Sequence, residues 1–170
     1  MRSIRRLSRF GLLALLFCVA HAALAQTAPG VKHVYAFVRQ HQPGNIAVDP
    51  DGKPMHAGPD TLYTVYVETD RQGIEWKKAY IDGRMYDVTA RPVTATPFGA
   101  GTDKRSGRKI WLPAAKGNRL WQLDLGLTDA APVYPRKTEP GKILLEGKRG
   151  NRKIVVKVSD VVELSEIPSV

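Results

Sequence analysis

The chain has 170 residues, 43% of them hydrophobic and 25% charged, with 15 glycines and 12 prolines. Such a composition and length suit one globular domain and exclude a fibrous chain, a wholly disordered one and a multidomain enzyme. The 26 basic residues outnumber the 16 acidic ones, for a formal charge of +10, which directs attention to anionic partners.

Residues 1–25 read as a cleavable signal helix rather than as part of the fold. Arg2, Arg5, Arg6 and Arg9 form a positive n-region, Phe10 to Ala20 is an apolar run, and Ala23-Leu24-Ala25 supplies small residues for cleavage before Gln26. The apolar run is shorter than the roughly 20 residues of a spanning helix. Cys18, the chain's only cysteine, follows bulky Phe17 inside that run, which argues against a lipoprotein. Removing the four arginines leaves 26 − 4 = 22 basic residues against 16 acidic, or +6 for the mature chain. A domain over residues 26–170 would have no disulfide and would rest on its core alone. Export without disulfides predicts a periplasmic or secreted bacterial protein.

The mature chain shows no helical periodicity. Val31 to Arg39 alternates, and Leu62 to Thr69 is β-branched and aromatic on both faces, as in an interior strand. Between them, Gln40 to Asp60 is rich in proline and glycine and reads as a long loop. Glu75 to Ile81 and Arg84 to Ala90 flank Asp82-Gly83, which predicts a type I′ hairpin. A loop over residues 94–108 follows. Strands are then expected at Lys109 to Leu112, Arg119 to Leu125, Lys142 to Glu146, Arg152 to Val158 and Val161 to Ile167, with the proline-punctuated link 126–141 among them. About nine short strands without helices predict an all-β, antiparallel β-sandwich, with an immunoglobulin-like arrangement preferred. Trp76, Trp111 and Trp121 read as core or partly covered strand residues.

Two stretches resemble each other: Lys109 to Arg119 aligns without gaps on Lys142 to Arg152, sharing Lys, Ile, Leu, Gly, Asn and Arg. Shared hairpin grammar accounts for this more simply than a duplication does. Alternation of turns in an antiparallel chain would place the turns at 82–83, 113–118 and 147–151 at one end. That end would gather Arg84, Lys116, Arg119, Lys148, Arg149 and Arg152 as a basic binding surface, with Asp82 as its evident acid. Lys104, Arg105 and Arg108 would lie at the other end, beside Asp103.

Candidate chemistry is otherwise sparse. His33, His41 and His56 match no metal-ligand spacing, and Asp49-Pro50-Asp51-Gly52 lacks the later ligands of a calcium loop. There is no Gly-x-Ser-x-Gly or His-Glu-x-x-His motif. No catalytic residue, metal or cofactor is therefore assigned. The expected function is that of an exported, non-catalytic binding or accessory module of the bacterial envelope, contacting an envelope protein or an anionic lipid or glycan through basic hairpin tips. A structural subunit of a larger extracytoplasmic assembly is the alternative, followed by an enzyme of unrecognised type. Nucleic acid is disfavoured, because aromatic and basic residues do not interleave as in stacking platforms.

Overall fold

The computed structural model describes residues 28–41, 48–53, 60–70, 73–128 and 138–166. The expected signal segment 1–25, most of the expected 40–60 loop and His56 lie outside the described residues. Ten strands are present: β1 (Val31–His41), β2 (Asp60–Thr69), β3 (Glu75–Ile81), β4 (Arg84–Val93), β5 (Phe98–Thr102), β6 (Lys109–Leu112), β7 (Arg119–Leu127), β8 (Ile143–Arg149), β9 (Arg152–Val158) and β10 (Val161–Glu163). The chain is all-β, with no helix among the described residues and hence none long and apolar enough to cross a membrane.

Eight strands hydrogen-bond into one sheet, in the order β10-β1-β2-β7-β4-β3-β8-β9, and β5 and β6 form a separate hairpin. The expected division into two antiparallel sheets therefore differs from the observed ladder in two respects. Seven of the eight strands run antiparallel to their neighbours as one continuous ribbon, and β10 lies parallel to β1, with Ala36 opposite Val161.

The sheet curls, and the packing shows why. Side chains alternate between faces along a strand, and one face carries Ala36 of β1, Val65 and Val67 of β2, Leu123 and Leu125 of β7, Ala79 and Ile81 of β3, Leu145 of β8 and Val156 of β9 in a single buried cluster. Residues from near both edges meet in that cluster only if the twisted ribbon bends round on itself. Each of these larger aliphatic side chains contributes about 1.5–3 kcal/mol on burial.

A second cluster lies on the opposite face: Phe37, Tyr66 and Leu120 of the sheet are covered by Leu112, with Phe98, Ala100 and Ile110 of the β5–β6 hairpin packed alongside. Phe37 and Tyr66 meet edge to face with centroids 5.7 Å apart, and Tyr66 and Phe98 lie 5.3 Å apart. Hydrophobic residues on both faces of β2 thus serve two different cores.

Local turn chemistry agrees with the sequence at Asp82-Gly83, where φ values of +48° and +77° form the I′ turn joining β3 to β4. The loop 94–108 is not one connection, because it contains β5. Trp76 is core and Trp121 half-buried, but Trp111 is 60% exposed and lies across Gly99, its register partner on β5. Trp76 is thus a core residue and Trp121 and Trp111 are partly covered strand residues, Trp111 the least covered, on the outward side of the hairpin.

Candidate functional site

The ladder fixes which turns share an end. β1 starts where β2 ends, with Val31 opposite Thr69, and β7 starts there too, with Arg119 opposite Thr69. β4 ends beside that start, Val93 opposite Leu120. β3 runs antiparallel to β4, and β8 antiparallel to β3, with Glu75 opposite Lys148. The turn 150–151 between β8 and β9 therefore lies at the same end as the segment 113–118 before β7. Arg84 does not. It pairs with Ile81 at the far end of β3, so the expectation that it joins the other basic residues is corrected.

The curl brings the turn after β8 to the end of β2. Arg149 donates from one guanidinium nitrogen to both carboxylate oxygens of Asp70, at 3.2 and 3.0 Å, and packs against Gly30, where any Cβ would collide with it. Arg149 is thus a fastener across the closed end rather than a cation offered to a ligand. Lys116, Arg119, Lys148 and Arg152 are exposed and have no ion-pair partner among the described residues. The acids at this end are occupied: Asp70 by Arg149, Glu75 by Lys77 at 2.9 Å, and Glu68 by three donors. Asp82, expected here, lies at the other end with Arg84.

Lys104, Arg105 and Arg108 cap the β5–β6 hairpin, which abuts β10 through the bridge from Asp103 to Leu164. Leu164 in turn donates its N–H to the Val38 carbonyl, toward the finishing end of β1. Lys104 is paired with Glu163 at 2.6 Å. These residues therefore stand away from Arg119.

A buried carboxylate that the sequence reading did not single out supports the segment 113–118. The Glu68 side chain is 3% exposed and accepts hydrogen bonds from the Asn118 amide at 2.6 Å, the Ala115 N–H at 2.8 Å and the His33 ring at 2.7 Å. An ionised carboxylate only accepts, so His33 presents Nδ1–H to it. Burial alone would raise the carboxyl, but hydrogen bonds from Asn118, Ala115 and His33 outweigh it and hold Glu68 below its ordinary value. The one available signal was an acid within an otherwise apolar and hydroxylic strand, Leu62 to Thr69.

Next to this anchor lies an open cleft of about 510 Å³. Pro92, Thr94 and Thr96 line it from the end of β4 and the following segment, and Lys116, Asn118, Arg119 and Trp121 from the other side. Trp121 is oriented by its Nε1–H, which donates to Thr69 Oγ1 at 3.2 Å.

Asp49 accepts the N–H groups of Asp51 and Lys53 at 3.0 and 2.8 Å, so the Asp49–Gly52 stretch forms a turn closed on its own carboxylate. Among the described residues, no group of three or more His, Cys, Asp or Glu side chains is gathered.

The two similar stretches do not fold alike. β8 and β9 pair directly across Gly150-Asn151, whereas β6 pairs with β5 and β7 lies between β2 and β4. Gly117 and Gly150 both have positive φ, but Gly117 is the third residue of the turn closed by Asn118 N–H on the Ala115 carbonyl, while Gly150 is the first central residue of a hairpin. No protein-family model, no curated protein and no solved structure matches the chain.

Proposed function

We propose that this chain is an exported, non-catalytic binding or accessory module of the bacterial envelope and that it takes an anionic partner at the end marked by Arg119. The observation that carries the reading is the grouping of Lys116, Arg119, Lys148 and Arg152 at one end without ion-pair partners among the described residues, while the nearby acids are already bonded. A cation without a protein partner is available to a carboxylate, sulfate or phosphate, and arginine can hold such a group through two hydrogen bonds. Arg84 and Arg149 leave the proposed surface, Arg84 by position and Arg149 by its bond to Asp70.

In this reading residues 1–25 direct export and are removed before Gln26, leaving a periplasmic or secreted domain. On the finer architecture, the β5–β6 hairpin laid over one face of the sheet supports a sandwich-like layering; the immunoglobulin-like form rests on strand number and length alone.

The test compares two double variants of equal charge change, K116S/R119S and R105S/R108S, on an anionic matrix eluted with salt. K116S/R119S is expected to weaken retention about two- to thirtyfold, from about 0.2–1 kcal/mol for each of two exposed charge contacts, and R105S/R108S much less. Wild-type retention should fall as salt rises. Equal losses would reduce the effect to net charge, and no loss from either would remove the reading.

A further inference from the structure

We infer that the cleft beside Arg119 binds an acidic saccharide, a pyranose ring carrying a carboxylate. The inference rests on the anionic-partner reading and narrows it to a ligand class. Three kinds of group converge on this one cleft. Lys116 and Arg119 bring positive charge without partners among the described residues. Thr94 and Thr96 bring hydroxyls that make no hydrogen bond among the described residues, and Asn118, which donates its amide to Glu68, keeps a carbonyl oxygen able to accept. Pro92 and Trp121, register partners on β4 and β7, bring apolar surface.

That mixture matches the two chemical sides of a sugar acid. The axial C–H groups of a pyranose make an apolar face suited to proline and tryptophan. Its equatorial hydroxyls need neutral donors and acceptors, and its carboxylate suits the arginine fork. A bilayer is a poorer fit, since a flat array of head groups meets protruding cations better than a recess, and it has no use for paired threonines beside an apolar surface. The volume of about 510 Å³ falls within the ~300–1,000 Å³ of small-molecule sites. One wall is already ordered: Glu68 holds both the Ala115 N–H and the Asn118 side chain. Binding therefore need not spend free energy on fixing that segment.

The experiment measures binding of the mature protein to an oligogalacturonate, to a neutral malto-oligosaccharide of equal length and to vesicles containing anionic phospholipid. Wild type should bind the oligogalacturonate at least tenfold more tightly than the neutral sugar. R119S should lower that affinity about tenfold and R119K less. T94V/T96V, which changes no charge, should lower it about three- to tenfold while leaving the salt dependence intact. Melting curves of the variants should match wild type, and circular dichroism checks that each one folds. Retention on vesicles alone, or oligogalacturonate binding that T94V/T96V does not alter, would overturn the saccharide inference while leaving the anionic-partner reading in place. Binding to none of the anionic probes would overturn both.

Discussion

Glu68 and Arg149 show how single charged residues shape this end of the molecule. The Glu68 carboxylate is buried with donors on both oxygens, so Glu68→Gln leaves one oxygen for the Asn118 and Ala115 donors and sets an amide NH₂ against His33, which can meet it only by moving its ring proton from Nδ1 to Nε2. A loss of about 1–3 kcal/mol is expected at pH 7, read by urea unfolding. The pH dependence follows from the sign of the shift. A carboxyl held below its ordinary 4.5 in the folded state contributes stability that is fully present above that value and is lost as pH falls through the folded one. The gap between wild type and Glu68→Gln should therefore narrow on acidification, and a gap that is constant from pH 7 to pH 3 would refute the assignment. Arg149→Ser should cost about 0.5–1.5 kcal/mol, because it removes a partly buried pair that fastens β8 to the end of β2. Arg152→Ser, on the same hairpin but without an ion-pair partner among the described residues, should stay within about 0.5 kcal/mol.

At the scale of elements, the β5–β6 hairpin separates packing from exposure within one short strand. Leu112 is 1% exposed in the second core and its neighbour Trp111 is 60% exposed. Leu112→Ala should cost about 2–5 kcal/mol by opening a cavity, and Trp111→Ser less than about 1 kcal/mol; equal costs in thermal unfolding would contradict the assignment of faces. The same hairpin shows where the sequence was legible and where it was not. Strands such as Leu62 to Thr69, and the Asp82-Gly83 turn, carry local signals: β-branched runs and positive-φ chemistry. β5, Phe98-Gly-Ala-Gly-Thr102, has glycine at alternate positions and low strand propensity, and it forms because Phe98 and Ala100 pack into the second core, a contact no local pattern reveals. Overlooking β5 changes the parity of every later turn relative to Asp82-Gly83. For that reason Arg84 falls at the wrong end, while the turns at Gly117 and Gly150 keep their shared one. The cleft was hidden similarly, since Thr94, Thr96 and Arg119 come together only through the β4–β7 ladder.

A curled sheet that does not close hydrogen bond to hydrogen bond leaves two edges, and the whole molecule must keep both from recruiting other chains. At one edge β10 is only three residues long, and the bridge from Leu164 to Asp103 follows it directly. The other edge is β9, seven residues long with no outer partner among the described strands. Its inner positions Ile154, Val156 and Val158 are core, and its outer positions are Lys153, Val155 and Lys157, with Val155 37% exposed between the two lysines. A β-branched residue on a straight edge invites an added strand, and a lysine on either side opposes it through repulsion between copies and the cost of desolvating ammonium groups. Replacing both lysines with threonine converts the outer row to Thr-Val-Thr, with high strand propensity and no charge. K153T/K157T should consequently self-associate in a concentration-dependent way, seen as a rising weight-average mass in sedimentation, while its unfolding free energy falls by about 1 kcal/mol, because Lys153 gives up its 3.1 Å ion pair with Glu146. K116T/R119T loses the same charge from residues outside β9 and serves as the control, because a general loss of colloidal repulsion would affect both variants alike. If the β9 variant shows no more association than the control, then the lysines are not what protects this edge, and the turn fastened by Arg149 at the start of β9 becomes the element to test.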